Sequence, residues 1–506
     1  MGARESRKAP NSYLALIALS VLLVPFSAFL HAASVLLEWL SPTEAHRQAC
    51  RGRDGFQQRT VLVTGVGTAK GLALARAFHL CGHRVIGADF EPDSSSSPSP
   101  ARFSRCLAHF HRLPIPSSSP PCAKYSKAVL DLIRTHATTL WVPAGPFPHH
   151  DAHARDLITR AHPSCAVAHL PAPTAVALTP CRSFLALAMH HNLRVPLTHT
   201  ITDRRDIYRH LTDILLNPSS RRSRFLLRPA TSDAASYRPD APRGVLIPET
   251  PTARDALFAR LPVSPAAPWV LQEGVAARRR VRAHALVVAG EVRVFVASPA
   301  GGRCCAALPP AGGEEVGGAM LRFAQELARR VGGPRVSGHV GLEFLVGDGG
   351  CGERVWAAEC RVGVDAAVVL LSGPGREMRE MVAAYLAIPA AGKEGRHGVV
   401  AADEGGVQVV TPPEGVAPRY WAGCDLAELV FLPFWQLLCF RMSFVSYSEH
   451  VLAFCYCFWN WKEAMFTTWD PVPFFVLYHV TLPSIIWASW RGGTEMDSNV
   501  AALFRQ

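Results

Sequence analysis

The rhythm of apolar and polar positions changes several times along the 506-residue chain. Residues 12–40, SYLALIALSVLLVPFSAFLHAASVLLEWL, are almost unbroken in apolar character behind a basic tip of Arg4, Arg7 and Lys8. The run is too long for the h-region of a signal peptide and lacks a clear small-residue cleavage site. It predicts an N-terminal membrane anchor helix over 1–45. Pro25 and His31 weaken it, and Arg47, Arg51 and Arg53 leave its orientation open. From residue 59 the pattern shortens: RTVLVTGVGTAKGLALARAFHLCGHRVIGADF gives an apolar strand, a glycine loop, a helix with apolar residues at helical spacing, and a second strand. EPDSSSSPSP is a polar excursion, and KAVLDLIRTHATTLWVPAG supplies another helix and strand. Such alternation predicts a parallel sheet with helices on both faces.

From about residue 180 the texture becomes α+β. A helix, CRSFLALAMHHNL, precedes the strands RFLLRPA, PWVLQEGV and RVRAHALVVAGEVRVFVA, whose VVAGEVRV reads as an antiparallel hairpin. A helix, LRFAQELARRVG, then leads to two short apolar strands, SGHVGLEFLV and RVWAAEC, each delivering one acid. The glycine-rich stretch to about 407 reads as a loop. The tail, 418–506, holds FLPFWQLLCFRMSF, VLAFCYCFWNW and DPVPFFVLYHVTLPSIIWASW. None is a clean span of twenty apolar residues, so interfacial helices resting on a bilayer are expected.

Composition changes this picture little. The formal charge is +12, but only Lys8, Lys70, Lys124, Lys127, Lys393 and Lys462 are lysines. The arginine excess is scattered except at Arg278–Arg280, which argues against a nucleic-acid partner. The 14 cysteines form no CxxC pair and fit reduced thiols in a membrane-associated protein whose main body faces the cytosol.

Three constellations carry candidate chemistry. TGVGTAKG (64–71), with Asp89 after the second strand, has the form of a dinucleotide loop, but no tyrosine has a lysine four residues on. HHDAH (149–153), read as part of a loop, does not match a closed zinc site. Glu343 and Glu359, joined by a GDGG turn, make a hairpin whose carboxylates point to one side, oxygen ligands suited to Mg²⁺. Upstream, Arg228 ends a strand where a cation could meet phosphates, and Gln272–Glu273 follow the strand WVL.

In that order, and in the stretches LWVPAG, PVSPAAPWVLQEGV, WAAEC and WDPVPFFVLYH, the chain resembles the ATP-grasp ligases related to mycosporine-glycine synthase. The resemblance implies an α/β Rossmann-like pre-ATP-grasp domain over 59–180 and a two-lobed α+β ATP-grasp domain over 181–392. It implies ATP and Mg²⁺, a small-molecule acceptor and an amine substrate. Arg182 and Arg228 stand where the family has phosphate-contacting lysines, Gln272 and Glu273 on the adenine side, and Glu343 and Glu359 at the metal. The family continues Glu-Cys-Asn-Pro-Arg; this chain reads Glu359-Cys360-Arg361-Val362-Gly363. Arg361 is then the candidate catalytic residue, in place of the missing family arginine on the phosphates. A ribose-side glutamate is also absent from Ala277-Arg278-Arg279-Arg280. A guanidinium cannot ligate Mg²⁺, so the alternative expectation is a degenerate, membrane-tethered nucleotide-binding protein without turnover.

Overall fold

The computed structural model describes residues 17–18, 20–40, 43–91, 97–116, 123–216, 224–229, 245–248, 250–265, 267–274, 277–300, 304–308, 316–333, 336–348, 353–391 and 408–492. Most of the EPDSSSSPSP excursion's serines, the last two glycines of GDGG and the glycine-rich stretch 392–407 lie outside these residues.

Val61, Leu62 and Val63 are fully buried, as a continuous apolar run requires when a strand is covered on both faces. They centre β1 (Thr60–Thr64), which lies parallel to β2 (Arg84–Phe90) and β4 (Leu140–Pro143). With β3 (His109–Leu113) and β5 (Ala166–Val167) the order is β3-β2-β1-β4-β5. The order reverses between β1 and β4, where the loops after both strands meet. Gly65, at φ 76°, packs so closely that a Cβ would stand 2.5 Å from the Gly145 nitrogen. Only glycine fits that crossing. Thr68 then caps helix Ala69–Leu80 by accepting from the Gly71 N–H.

A second sheet is antiparallel: β6 (Thr198–Ile201), β7 (Arg224–Pro229), β8 (Val245–Leu246) and β9 (Trp269–Gly274), in the order β6-β9-β7-β8. Helices Arg204–Leu216 and Pro251–Arg260 supply Ile207, Leu211 and Phe258 to its core, against Phe225, Leu227 and Leu271. The third sheet contains β10 (Ala277–Val288) and β11 (Glu291–Pro299). After the two-residue β12 (Cys304–Cys305) the chain returns to it in β13 (Gly338–Asp348) and β14 (Glu353–Val362). Its order is β11-β10-β13-β14. Strand alternation divides this sheet sharply. Val281, Ala283, Ala285, Leu342 and Phe344 face a core completed by helices Cys181–His190 and Val316–Leu327, while the intervening residues are polar. The chain is thus a mixed α/β fold with one five-stranded parallel sheet and two four-stranded antiparallel sheets.

The aromatic tail turns back onto the first sheet. β15 (Arg419–Tyr420) and β16 (Lys462–Glu463) form a small sheet with β12. The fully buried Asp470 accepts from Arg76 Nε at 2.9 Å, Ser104 Oγ at 2.6 Å and the Arg105 N–H at 3.0 Å. Arg76 donates also to the carbonyls of Met465 and Asp470, both at 2.7 Å.

The apolar N-terminal run is helical where it is described. Among the described residues no single helix is long and apolar enough to cross a membrane. The apolar run yields helix Val24–Leu40, 17 residues, followed after a 45° bend by the polar helix Thr43–Arg51. Pro25 supplies the reason: lacking an N–H, it sits where helices begin, and a turn at Leu23 breaks the run there.

Candidate functional site

The site grows from the polar face of the third sheet. In register, Arg282 lies opposite Glu343, Glu343 opposite Glu359, and Gly341 opposite Arg361. Cross-strand partners share a face, so Arg282, Glu343, Glu359 and Arg361 line one side of the sheet. A register shift between Glu343 and Phe344 makes Ala358 the extra residue of a bulge, which turns Glu359 toward Glu343. Two carboxylates in that position repel each other, and arginines hold them together. Arg361 Nη2 stands 3.5 Å from Glu343 Oε2 and its Nε 3.4 Å from Glu359 Oε1. Arg280 Nη1 lies 3.3 Å from Glu343 Oε1, and Arg282 Nη1 3.7 Å from Asp365 Oδ2. Arg280, Arg282 and Arg361 therefore balance Glu343, Glu359 and Asp365 in formal charge.

The second sheet brings its own cation to the same place. Arg228, on β7, donates through Nη2 to the Ala358 carbonyl at 3.0 Å and to the Cys181 thiol. Its Nε is buried without a hydrogen-bond partner. Arg182 is exposed on the first turn of helix Cys181–His190, one residue from that contact. Gln272 is buried on β9 between Thr198 and Leu226, and its Nε2 also finds no partner. Glu273 follows it in the strand, opposite Phe225; its side chain lies outside the described residues. Arg228, Glu343, Glu359 and Arg361 are thus brought together. Gln272 and Arg182 flank them with unsatisfied or exposed donors.

Sequence reading missed Lys70, Arg280, Arg282 and Asp365. The signal for the arginines lay in RRRVRAHA, where Arg280, Arg282 and His284 alternate with Val281, Ala283 and Ala285; the strand expected from Arg280 begins at Ala277. Lys70 lies 294 residues from its partner, the Val364 carbonyl, which its Nζ meets at 2.7 Å. Burial lowers the Lys70 pKa to about 8, against the pull of Asp365 and Asp151. Burial likewise lifts Asp151 to about 7, although the Tyr125 hydroxyl donates to it. Burial opposes ionisation of Asp365 too, but Arg282, the Ala367 N–H, His284 and Lys70 together hold its pKa below the ordinary value.

The other two constellations lead elsewhere. The glycine loop is closed from within. Asp89 accepts from Ser99 Oγ at 2.6 Å, and a Cβ on Gly67 would stand 2.1 Å from the same carboxylate. HHDAH belongs to helix Pro148–Ala161, not a loop; His150 and Asp151 face inward. Among the described residues no group of three or more His, Cys, Asp or Glu is arranged to hold a metal ion.

The acid pair is of the donor type that Mg²⁺ takes, but the Arg361 guanidinium stands between its two members. The pair fits a divalent cation only with Arg361 turned aside. That side chain, 33% exposed, has a path to solvent.

No protein-family model matches the chain, and no curated protein does. Several solved structures resemble it over about two thirds of the chain. The biotin carboxylase domain of Hydrogenobacter thermophilus 2-oxoglutarate carboxylase, crystallised with MgADP, ADP and bicarbonate, is 10% identical; the match covers 65% of this chain and 70% of that one, with a TM-score of 0.44. Campylobacter jejuni biotin carboxylase is 9% identical over 65% and 71%, with a TM-score of 0.46. An Aspergillus clavatus N5-carboxyaminoimidazole synthase, bound to ADP and an aminoimidazole ribonucleotide, is 13% identical over 66% and 77%, at 0.44. Likeness at this level assigns no activity.

Proposed function

We propose that the chain is an ATP-dependent ligase of the ATP-grasp type, phosphorylating a carboxylate or enol acceptor and joining it to an amine such as an amino acid. The observation that carries the reading is the meeting of two sheets at Ala358, where Arg228 reaches the strand that presents Glu359 and Arg361 beside Glu343. ATP lies between the sheets, with Gln272 and Glu273 on the base side and Arg182 and Arg228 on the phosphates. Glu343 and Glu359 would hold Mg²⁺, which would supply charge neutralisation for the phosphates. Arg361 turns from the acid pair to the phosphate oxygens when nucleotide enters. The domain division at 59–180 and 181–392 follows the same reading. The partner outside the substrates is a membrane, met by contact, with the ligase body on the cytosolic side. Release of ADP from purified protein supplied with amino acids and small acids tests the activity. Absence of magnesium-dependent turnover with every acceptor counts against it.

One observation favours a second reading. Every carboxylate on the polar face already has an arginine within 3.7 Å, so little net charge remains to attract a metal. A nucleotide-binding protein without turnover then results. It predicts thermal stabilisation by ATP with no hydrolysis and no dependence on Mg²⁺.

A further inference from the structure

A helix on a protein in water turns its apolar side inward. Helix Val24–Leu40 does the reverse. Its buried positions are Ser27 and Ser34, and the serine side meets the tail: His479 Nε2 lies 2.8 Å from Ser27 Oγ, and Ser20 Oγ donates to the Tyr478 carbonyl at 2.7 Å. Phe29 is 69% exposed and Trp39 76%. Taken at 3.6 residues per turn, the exposed apolar positions of this helix sweep roughly 200° of its circumference.

The tail continues the same surface. Phe26 packs on Phe458 with ring centroids 6.5 Å apart, and Trp459 beside it is 85% exposed. Phe440 is 98% exposed at φ 54°, a left-handed position after helix Leu432–Leu438 that usually belongs to glycine. Of the large apolar side chains exposed among the described residues, nine lie in 21–40, thirteen in 434–490 and seven elsewhere. Arg441, Lys462 and Arg491 are exposed in the same tail, outnumbering its exposed acids among the described residues, Glu428 and Glu449, and Arg491 sits 5.4 Å over the Trp487 ring.

We infer that the two ends of the chain form one composite face that lies on an anionic bilayer without crossing it. This rests on the membrane-contact reading above and names the surface. Acyl chains cover an apolar arc of this breadth throughout, and the aromatic and basic side chains of the tail continue the surface at its edge. Tryptophan, tyrosine and arginine suit the headgroup boundary at its rim. Ser20 and Ser27 meet His479, and Ser34 donates to the Leu30 carbonyl, so the polar side is the one withdrawn from lipid.

Flotation of the full-length protein with phosphatidylcholine vesicles, with and without one third phosphatidylserine, tests this. Wild type is expected to float, several-fold more strongly with the anionic lipid, and to weaken as salt rises. Phe440→Gly relieves the left-handed strain, so it should melt no lower than wild type while its partition coefficient falls about ten-fold. Phe29→Ser with Trp39→Gln at the other end should cost at least as much. If wild type floats and only the N-terminal pair matters, the composite face is overturned while membrane contact stands. If wild type stays at the bottom of the gradient, both fall. Concentration-dependent dimerisation abolished by Phe440→Gly, with no flotation, would make a second copy the occupant and also overturns the inference.

Discussion

Replacing Arg361 by asparagine separates the two readings of the site. In the structure its guanidinium lies 3.4–3.5 Å from an oxygen of each acid. A divalent ion between those acids would stand close to it. Two unit charges 4 Å apart repel by about 4 kcal/mol at an effective dielectric near 20, and a double charge makes that about 8 kcal/mol. Arg361 is 33% exposed, so the side chain can retreat and water screens what remains. Taking a quarter of the full value leaves about 2 kcal/mol, or roughly thirty-fold in Mg²⁺ affinity. Asparagine also adds an amide oxygen as a possible ligand.

The assay is calorimetric titration of ATP at fixed Mg²⁺ concentrations, with ADP release followed on the same preparations. If the arginine only blocks the metal, Arg361→Asn gains Mg²⁺-dependent nucleotide affinity of about that size and loses nothing in turnover. If the arginine has been recruited to the phosphates, the variant binds Mg²⁺ more tightly and turnover falls. Either result keeps the electrostatic argument. Equal Mg²⁺ dependence in both proteins, within about three-fold, refutes it, because the guanidinium would then exert no field at the acid pair.

Three other perturbations test the frame around the site. Asp470→Ala strands the buried Arg76 guanidinium and should cost about 3–5 kcal/mol in a denaturant melt, with the tail released to proteolysis first. Gly65→Ala drives a methyl into the Gly145 backbone from a left-handed position; loss of soluble protein, or a fall of several degrees in Tm, is expected by scanning calorimetry. Asp151→Asn should alter pH dependence. Burial raises the folded pKa of Asp151 above its unfolded value to about 7, so its contribution is present at low pH and is lost as pH rises through 7. Between pH 5 and 7.5 the variant should therefore gain about 2–3 kcal/mol on wild type in urea melts, and a constant difference would contradict the assignment.

How much of this was legible depended on the range over which each signal acts. Strand runs such as Val61–Val63, the Thr68 cap and the alternation in Val281–Ala285 are local, and period alone marks them. The pairing of Glu343 with Glu359 was also within reach, since a short turn joins two strands that each end in an acid. The neutralising arginines were not. Arg280 and Arg282 belong to a strand paired with β13 across a separation of more than fifty residues, and nothing nearby announces that register. The Lys70–Val364 contact spans two sheets, and the Arg76–Asp470 clamp joins the first sheet to the tail. Periodicity cannot see either.

The N-terminal segment was legible in a different way. Hydropathy counts apolar residues but not the side on which they stand. The serines at 20, 27 and 34 recur at seven-residue spacing, two turns of helix, and so define one polar stripe within an apolar run. Read as a face rather than as a total, that stripe marks the side that packs inward on protein and leaves the apolar side exposed. The tail supplies the complement in His479, whose two ring nitrogens meet Ser20 and Ser27. A helix that spanned a bilayer alone would leave those hydroxyls and the imidazole to find partners in hydrocarbon. Paired as they are, they bind the chain's two ends into one surface.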